Sequence, residues 1–184
     1  FYADRRQSAP QTGQVPADLR EGITTSIYKG MGPKTHCSSY RPITLLSVPG
    51  KVFAHVLLAC VDPLLVANRR PQHSGFTTGR PSIDAILALR LLSELHQAFD
   101  KPLYVAYVDL KSAFDSVDRT ALWKALRATG MPKILLHLIE DLYRGTSCQV
   151  RLKGSLSAPF RTHSGVRQGC VLAPAVFCRA IDWI

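Results

Sequence analysis

The run Leu103-Tyr104-Val105-Ala106-Tyr107-Val108 carries no charged side chain and stops at Asp109. A continuous apolar segment without alternation is the pattern of a β-strand covered on both faces. The aspartate constrains the fold further, because an isolated carboxylate at the tip of a buried strand cannot stay ionised. It must reach solvent, a Lys or Arg, or a divalent cation. Phe114 and Asp115 follow five and six residues later. The plain alternative is that Asp109 only starts a turn before a capped helix.

The chain around this segment has 184 residues, 46% of them hydrophobic, which excludes a disordered or low-complexity polypeptide. Its length suits one domain or slightly more at roughly 100–200 residues per domain. No uninterrupted apolar stretch approaches the ~20 residues of a membrane span. The best candidate, Val52 to Val61, is broken by His55 and ended by Asp62-Pro63. No signal peptide is legible, the first residue is not Met, and the last, Ile184, lies inside an apolar, helix-like run. A piece of something longer is the expectation.

The 23 Lys+Arg against 13 Asp+Glu give a net charge of +10, spread along the chain rather than bunched in a tail. A folded basic surface of that kind suits a polyanion, with nucleic acid first and acidic lipid second. The five cysteines (Cys37, Cys60, Cys148, Cys170, Cys178) form no C-x-x-C pair, and the six histidines have no ligand spacing. Buried free thiols are expected, not a Cys/His metal centre.

Local patterns predict the elements. Residues 1–20 read as a poorly ordered terminus. Ile23 to Lys29 reads as a strand, 30–33 as a turn, and Tyr40 to Leu46 as extended. Ser47 to Asn68 has helical periodicity with an interruption at Pro63. Gln72 to Pro81 is a Gly-rich loop, and Ser82 opens a helix with Ile83, Ile86, Leu87, Leu91 and Leu95 mostly on one face. Asp115 or Ser116 is the expected cap of a helix carrying Leu122, Ala125 and Leu126, stopped by Gly130. A further helix spans about 132–144. Ser147 to Lys153 alternates cleanly and forms a hairpin with a short strand at 160–164, across a loop at 154–159. Ser164 to Gly169 is a loop, and Val171 begins another helix.

Two more constellations could carry chemistry. In Gly165-Val166-Arg167-Gln168-Gly169-Cys170, two glycines four apart permit close backbone approach to a ligand, and Arg167 and Gln168 add donors. Lys29 and Arg41 flank a turn beside Tyr40 and could clamp a phosphate chain, or simply face water. The stretch Gly75 to Pro81 is not a P-loop, since its glycines are too close and Arg80 replaces the lysine. No nucleophile elbow surrounds Cys170.

In series, Lys29, Tyr40-Arg41-Pro42-Ile43, Gly75-Phe76, Asp109-Leu110-Lys111-Ser112-Ala113-Phe114-Asp115 and Arg167-Gln168-Gly169-Cys170-Val171-Leu172-Ala173-Pro174 resemble a reverse transcriptase of non-LTR (LINE-type) retrotransposons, related also to group II intron maturases. The resemblance covers about residues 20–184. It implies an α+β fold, the fingers (about 20–98 and 132–164) and part of the palm (about 99–131 and 165–184) of a right-hand polymerase, without a thumb. The uncovered strand edge and apolar surface of such a partial palm suggest marginal stability.

The same resemblance implies RNA-directed DNA polymerisation by two-metal nucleotidyl transfer, with an RNA template, a DNA primer and dNTP as partners, no membrane, and an intracellular or, in a eukaryotic host, nuclear site of action. It makes Asp109 the catalytic ligand of Mg²⁺, with the Leu110 carbonyl helping. Phe114 would lie against the nucleotide sugar and exclude a 2′ hydroxyl, with Ala113 beside it. Lys29, Arg41, Gln168 and Gly169 would contact the dNTP, and Arg167 would add charge against nucleic acid. Asp115 matches a second aspartate whose role is direct or merely a helix cap. The departure is the Asp-Asp pair that the family carries after this point: no Asp-Asp occurs in the chain, and Asp182 is no substitute. The 184 residues are therefore expected not to polymerise alone. The alternative is a degenerate element remnant, at most a basic nucleic-acid-binding module.

Overall fold

The computed structural model describes residues 14–184. The expected poorly ordered terminus at 1–20 falls largely on 1–13, outside the described residues, but the rest is ordered: Ala17–Leu19 form a helical turn and Val15 is buried. The described chain is mixed α+β, with five strands and six α-helices. Strands β1 (Glu21–Tyr28) and β2 (Tyr40–Leu45) form an antiparallel ribbon in which Thr24 faces Thr44 and Ile27 faces Arg41. Strand β3 (Ser147–Leu152) adds in parallel to β1, with Gly22 opposite Cys148. A parallel pair requires a long crossover. Here the crossover is most of the molecule: α1 (Val48–Ala67), α2 (Ser82–Ala98), α3 (Ala113–Ser116), α4 (Arg119–Arg127) and α5 (Lys133–Tyr143). Strands β4 (Ser155–Leu156) and β5 (Phe160–Arg161) both pair antiparallel with β3, and α6 (Leu172–Trp183) closes the chain.

The core sits among the helices. Ala54, Leu57, Val61 and Leu65 of α1, Leu122 and Leu126 of α4, Leu136, Ile139 and Leu142 of α5, and Leu172 and Val176 of α6 are buried together. Their spacing of three and four residues is the apolar stripe that makes each helix amphipathic. Ser47 caps α1 by accepting the Gly50 amide at 3.2 Å. The N-terminal segment is pinned on this core by Asp141, whose carboxylate accepts the Val15 amide at 2.6 Å and pairs with Arg20 at 2.9 Å.

Several expectations are corrected. Helix α1 runs unbroken through Pro63. Proline φ is already helical, the lost hydrogen bond lies on the exposed side, and the buried Leu57-Val61-Leu65 stripe holds the turns before and after it. With its full length, α1 is long and apolar enough to cross a membrane by length and composition alone, although its inner face belongs to the core. Asp118, not Asp115 or Ser116, caps α4, accepting the Ala121 amide at 2.7 Å. The span 154–159 is not only loop, because Lys153 and Gly154 form a left-handed turn (φ 47° and 86°) that returns β4 onto β3. Of the cysteines, Cys148, Cys170 and Cys178 are buried, but Cys37 and Cys60 are exposed.

The largest correction concerns Leu103–Val108, which forms neither strand nor helix. Tyr104, Tyr107 and Val108 are 89%, 84% and 84% exposed. A strand exists only through pairing, and none of the described strands pairs with this segment. Helix α2 likewise buries none of its residues, and Ile83, Ile86, Leu87, Leu91 and Leu95 all lie open.

Candidate functional site

Two segments far apart in sequence are joined through their backbones. The turn Ala113–Ser116 starts from Ser112 in the left-handed region (φ 50°). Carbonyls of this turn and of the residue after it receive the Gly-flanked loop: the Gly165 amide donates to Val117 O and the Val166 amide to Phe114 O, each at 2.8 Å. Gly165 is required there. Its φ is +75°, and a Cβ would lie 2.7 Å from both Asp115 Cα and Phe114 O. The far end of the same loop meets β2, where Thr44 N donates to Gln168 O at 2.8 Å and Gly169, at φ +108°, leaves no room for a Cβ against the Thr44 carbonyl. A cavity of about 210 Å³ lies between these parts, lined by Thr24, Pro42, Thr44, Asp115, Arg119, Arg167 and Gln168 among others.

Arg119 organises this junction. Its guanidinium donates to the carbonyls of Tyr143, Thr162, Ser164 and Gly165 and to the hydroxyls of Thr146 and Thr162, at 2.9–3.4 Å. It also lies 5.2 Å from the centre of the Tyr143 ring. Burial pushes this guanidinium below the ordinary arginine range, with Arg167 nearby adding to the effect. Sequence reasoning missed Arg119. The one available signal was a cation on the first residue of a helix, where the backbone dipole disfavours it.

Arg167 is turned inward, not toward a nucleic-acid surface. It is 6% exposed and donates to the Leu19 and Glu21 carbonyls at 2.8 and 2.9 Å, while its Nε has no partner. Burial lowers its pKa as well. It thus fastens the Gly-flanked loop to the start of β1.

Phe114 is half-buried in an aromatic row. It stacks on Phe177 of α6 (centroids 4.4 Å apart, planes at 17°) and meets Phe76 edge-on (6.0 Å, 77°). Leu110, Lys111, Ala113, Val117, Leu122 and Phe177 help line a mostly apolar groove of about 310 Å³. Asp109 is exposed just before that groove, and its carboxylate has no hydrogen bond or ion pair among the described residues. Asp109 lines neither cavity. Lys29, just past the end of β1, and Arg41 on β2 are both exposed, with Lys29 Nζ donating to Ser38 O at 2.7 Å. Strand alternation puts Arg41 on the opposite face of the ribbon from Pro42 and Thr44, so it is not brought into the Gln168 cavity.

The described residues hold no cluster of three His, Cys, Asp or Glu side chains. A divalent cation here would rest on the accessible Asp109 carboxylate and backbone oxygen, completed by ligands from substrate or water. That is the donor set of a hard ion such as Mg²⁺, which commonly takes one or two carboxylates and keeps the rest of its shell for phosphate and water. Asp182 is committed elsewhere, 2.7 Å from His73 Nδ1.

A family model described as reverse transcriptase (RNA-dependent DNA polymerase) matches residues 32–184. The uncharacterized 149 kDa protein of transposon TX1 from Xenopus laevis is 29% identical over 172 residues, 92% of this chain and 13% of that protein. A probable RNA-directed DNA polymerase from transposon X-element of Drosophila melanogaster is 28% identical over 167 residues, 89% of this chain and 18% of its own length. The Pol polyprotein of the type-2 retrotransposable element R2DM, also from Drosophila melanogaster, is 28% identical over 171 residues, 92% of this chain and 16% of the polyprotein. The chain therefore spans less than a fifth of each of these relatives.

Proposed function

Because this chain belongs to the reverse transcriptase (RNA-dependent DNA polymerase) family, we propose that it supplies the nucleotide-binding part of a mobile-element polymerase that copies an RNA template onto a DNA primer. The observation that supports this reading is the backbone junction of Phe114-Asp115 with Gly165-Val166, which joins two motifs distant in sequence. In the sequence alone Asp115 and Gly165 are 50 residues apart.

In the proposed site, Asp109 and the Leu110 carbonyl hold Mg²⁺. Joining a primer 3′ hydroxyl to a triphosphate is mainly a matter of alignment and charge neutralisation, which is what divalent metal supplies when bound. Ala113 and Phe114 meet the sugar, the ring leaving no space for a 2′ hydroxyl. Gln168 and Gly169 contact the incoming nucleotide, their loop held in place by Arg167 and Arg119. Lys29 and Arg41 lend positive charge to the triphosphate from the exposed end of the ribbon. In this reading 20–98 and 132–164 act as fingers, 99–131 and 165–184 as palm, and the protein works inside the cell.

With a single strong metal-binding carboxylate and no Asp-Asp pair, the 184 residues by themselves do not polymerise. Primer extension on poly(rA)/oligo(dT) with Mg²⁺ tests both parts of the proposal. This chain alone should give no extension, a longer protein containing it should extend, and Asp109→Ala in the longer protein should abolish extension. Processive incorporation by the 184 residues would refute the first part, and an active Asp109→Ala variant the second.

A further inference from the structure

Phe76 lies in the Gly-rich loop at 72–81, far in sequence from every residue assigned above, and 65% of its surface is exposed. Its backbone is left-handed at φ 50°, a conformation unfavourable for a bulky residue, while a glycine stands directly before it. The loop holds it there by several ties. His73 pairs with Asp182 at 2.7 Å, and Cys178 Sγ approaches Gly75 O at 3.5 Å, fastening the loop to α6. Arg69 donates to Phe76 O at 3.3 Å and to Thr77 Oγ1 at 2.9 Å. The same helix supplies Phe177, so both rings that touch Phe114 are referenced to α6.

We propose that Phe76 is a specificity-determining positioning residue: its edge-on contact fixes the Phe114 ring and thereby sets how strictly the site rejects ribonucleotides. The inference rests on the reading of Phe114 as the residue facing the sugar. Exclusion by a ring works only if the ring cannot tilt away, since a movable wall gives ground to the extra hydroxyl. Phe177 stacks on one face of Phe114 and leaves rotation within that plane unopposed. The near-perpendicular ring of Phe76 supplies the second constraint, with the geometry that aromatic quadrupoles favour. The strained backbone is consistent with a loop built to deliver this ring.

The test has two arms. In a primer-extending protein that contains this chain, Phe76→Ala should lower the preference for dNTP over rNTP by about two- to tenfold, the factor that one aromatic contact is worth. Phe76→Tyr should restore it, and Phe114→Ala should lower the preference further. If Phe114→Ala opens the site to ribonucleotides while Phe76→Ala leaves the preference unchanged, the inference falls and the sugar-facing role of Phe114 stands. If Phe114→Ala changes nothing, that role falls and the inference with it. The second arm needs no activity and uses the 184-residue chain with 3-fluorophenylalanine at position 114. Phe76→Ala should shift the fluorine resonance and speed ring flipping, with Phe76→Tyr close to the parent. A spectrum unaltered by Phe76→Ala would show that the two rings are not coupled, which overturns the proposal.

Discussion

Replacing Gly165 by alanine places one methyl group into the junction between the two motifs. The new Cβ would meet only backbone: Asp115 Cα and Phe114 O at 2.7 Å and Asp115 O at 2.8 Å. Neither the turn nor the loop can yield by rotating a side chain, so the two segments must part. The left-handed φ of +75° adds a penalty of about 1–2 kcal/mol for an L-residue, and forced overpacking adds about 1–3 kcal/mol. Gly154→Ala isolates the backbone contribution, because Gly154 has a similar φ of +86° with nothing within 4 Å of its Cβ position. Urea unfolding followed by circular dichroism should therefore show Gly165→Ala losing about 2–5 kcal/mol, and Gly154→Ala only the backbone share of about 1–2 kcal/mol. Equal losses for the two variants, within about 0.5 kcal/mol, would refute the close approach of Phe114-Asp115 to the loop.

Two further outcomes follow from the same geometry. Arg119→Met removes six hydrogen bonds, to four carbonyls and two threonine hydroxyls, and should cost about 3 kcal/mol in urea melts. Arg119→Lys should recover little of this loss, because an ammonium cannot reproduce the planar fork. Burial pushes the Cys170 and Cys178 thiols and the Tyr143 phenol upward, so the unfolded chain releases these protons first as pH rises. Stability should be full below the ordinary thiol value of 9.0 and decline above it as pH climbs toward the raised folded values. Melting temperatures measured from pH 7 to 11 check this, and a midpoint that rises across that range would contradict it.

How much of this was legible depended on what each element needs. Helices α1, α4, α5 and α6 and strand β3 carry their periodicity locally, and β1 and β2 were visible from their turn and β-branched content. The run Leu103–Val108 has the composition of a buried strand, but composition supplies no hydrogen-bond partner, and without one the segment stays open. Pro63 looked like a break because the helix-breaking penalty is local, whereas the Leu57, Val61 and Leu65 contacts that override it are tertiary. At the site, Gly165 and Gly169 could be read, since glycine marks close backbone approach before one knows to what. Arg119 and the His73–Asp182 pair could not, because each acts only through residues distant in sequence; Gly75-Phe76 was legible as part of the motif series, but its contact with Phe114 was not. Arg167 shows the opposite failure: its charge suggested a ligand, and its partners are two backbone carbonyls.

The central claim is that Asp109 and the Gly-flanked Gln168 serve one metal-nucleotide site. Titrating Mn²⁺ with dNTP into the ¹⁵N-labelled chain tests it through paramagnetic broadening. The amides around Asp109 and those of Gln168 and Gly169 should broaden together at low Mn²⁺, and both effects should vanish in Asp109→Asn. Broadening that spares the Gln168 loop, or that persists in Asp109→Asn, would contradict the account.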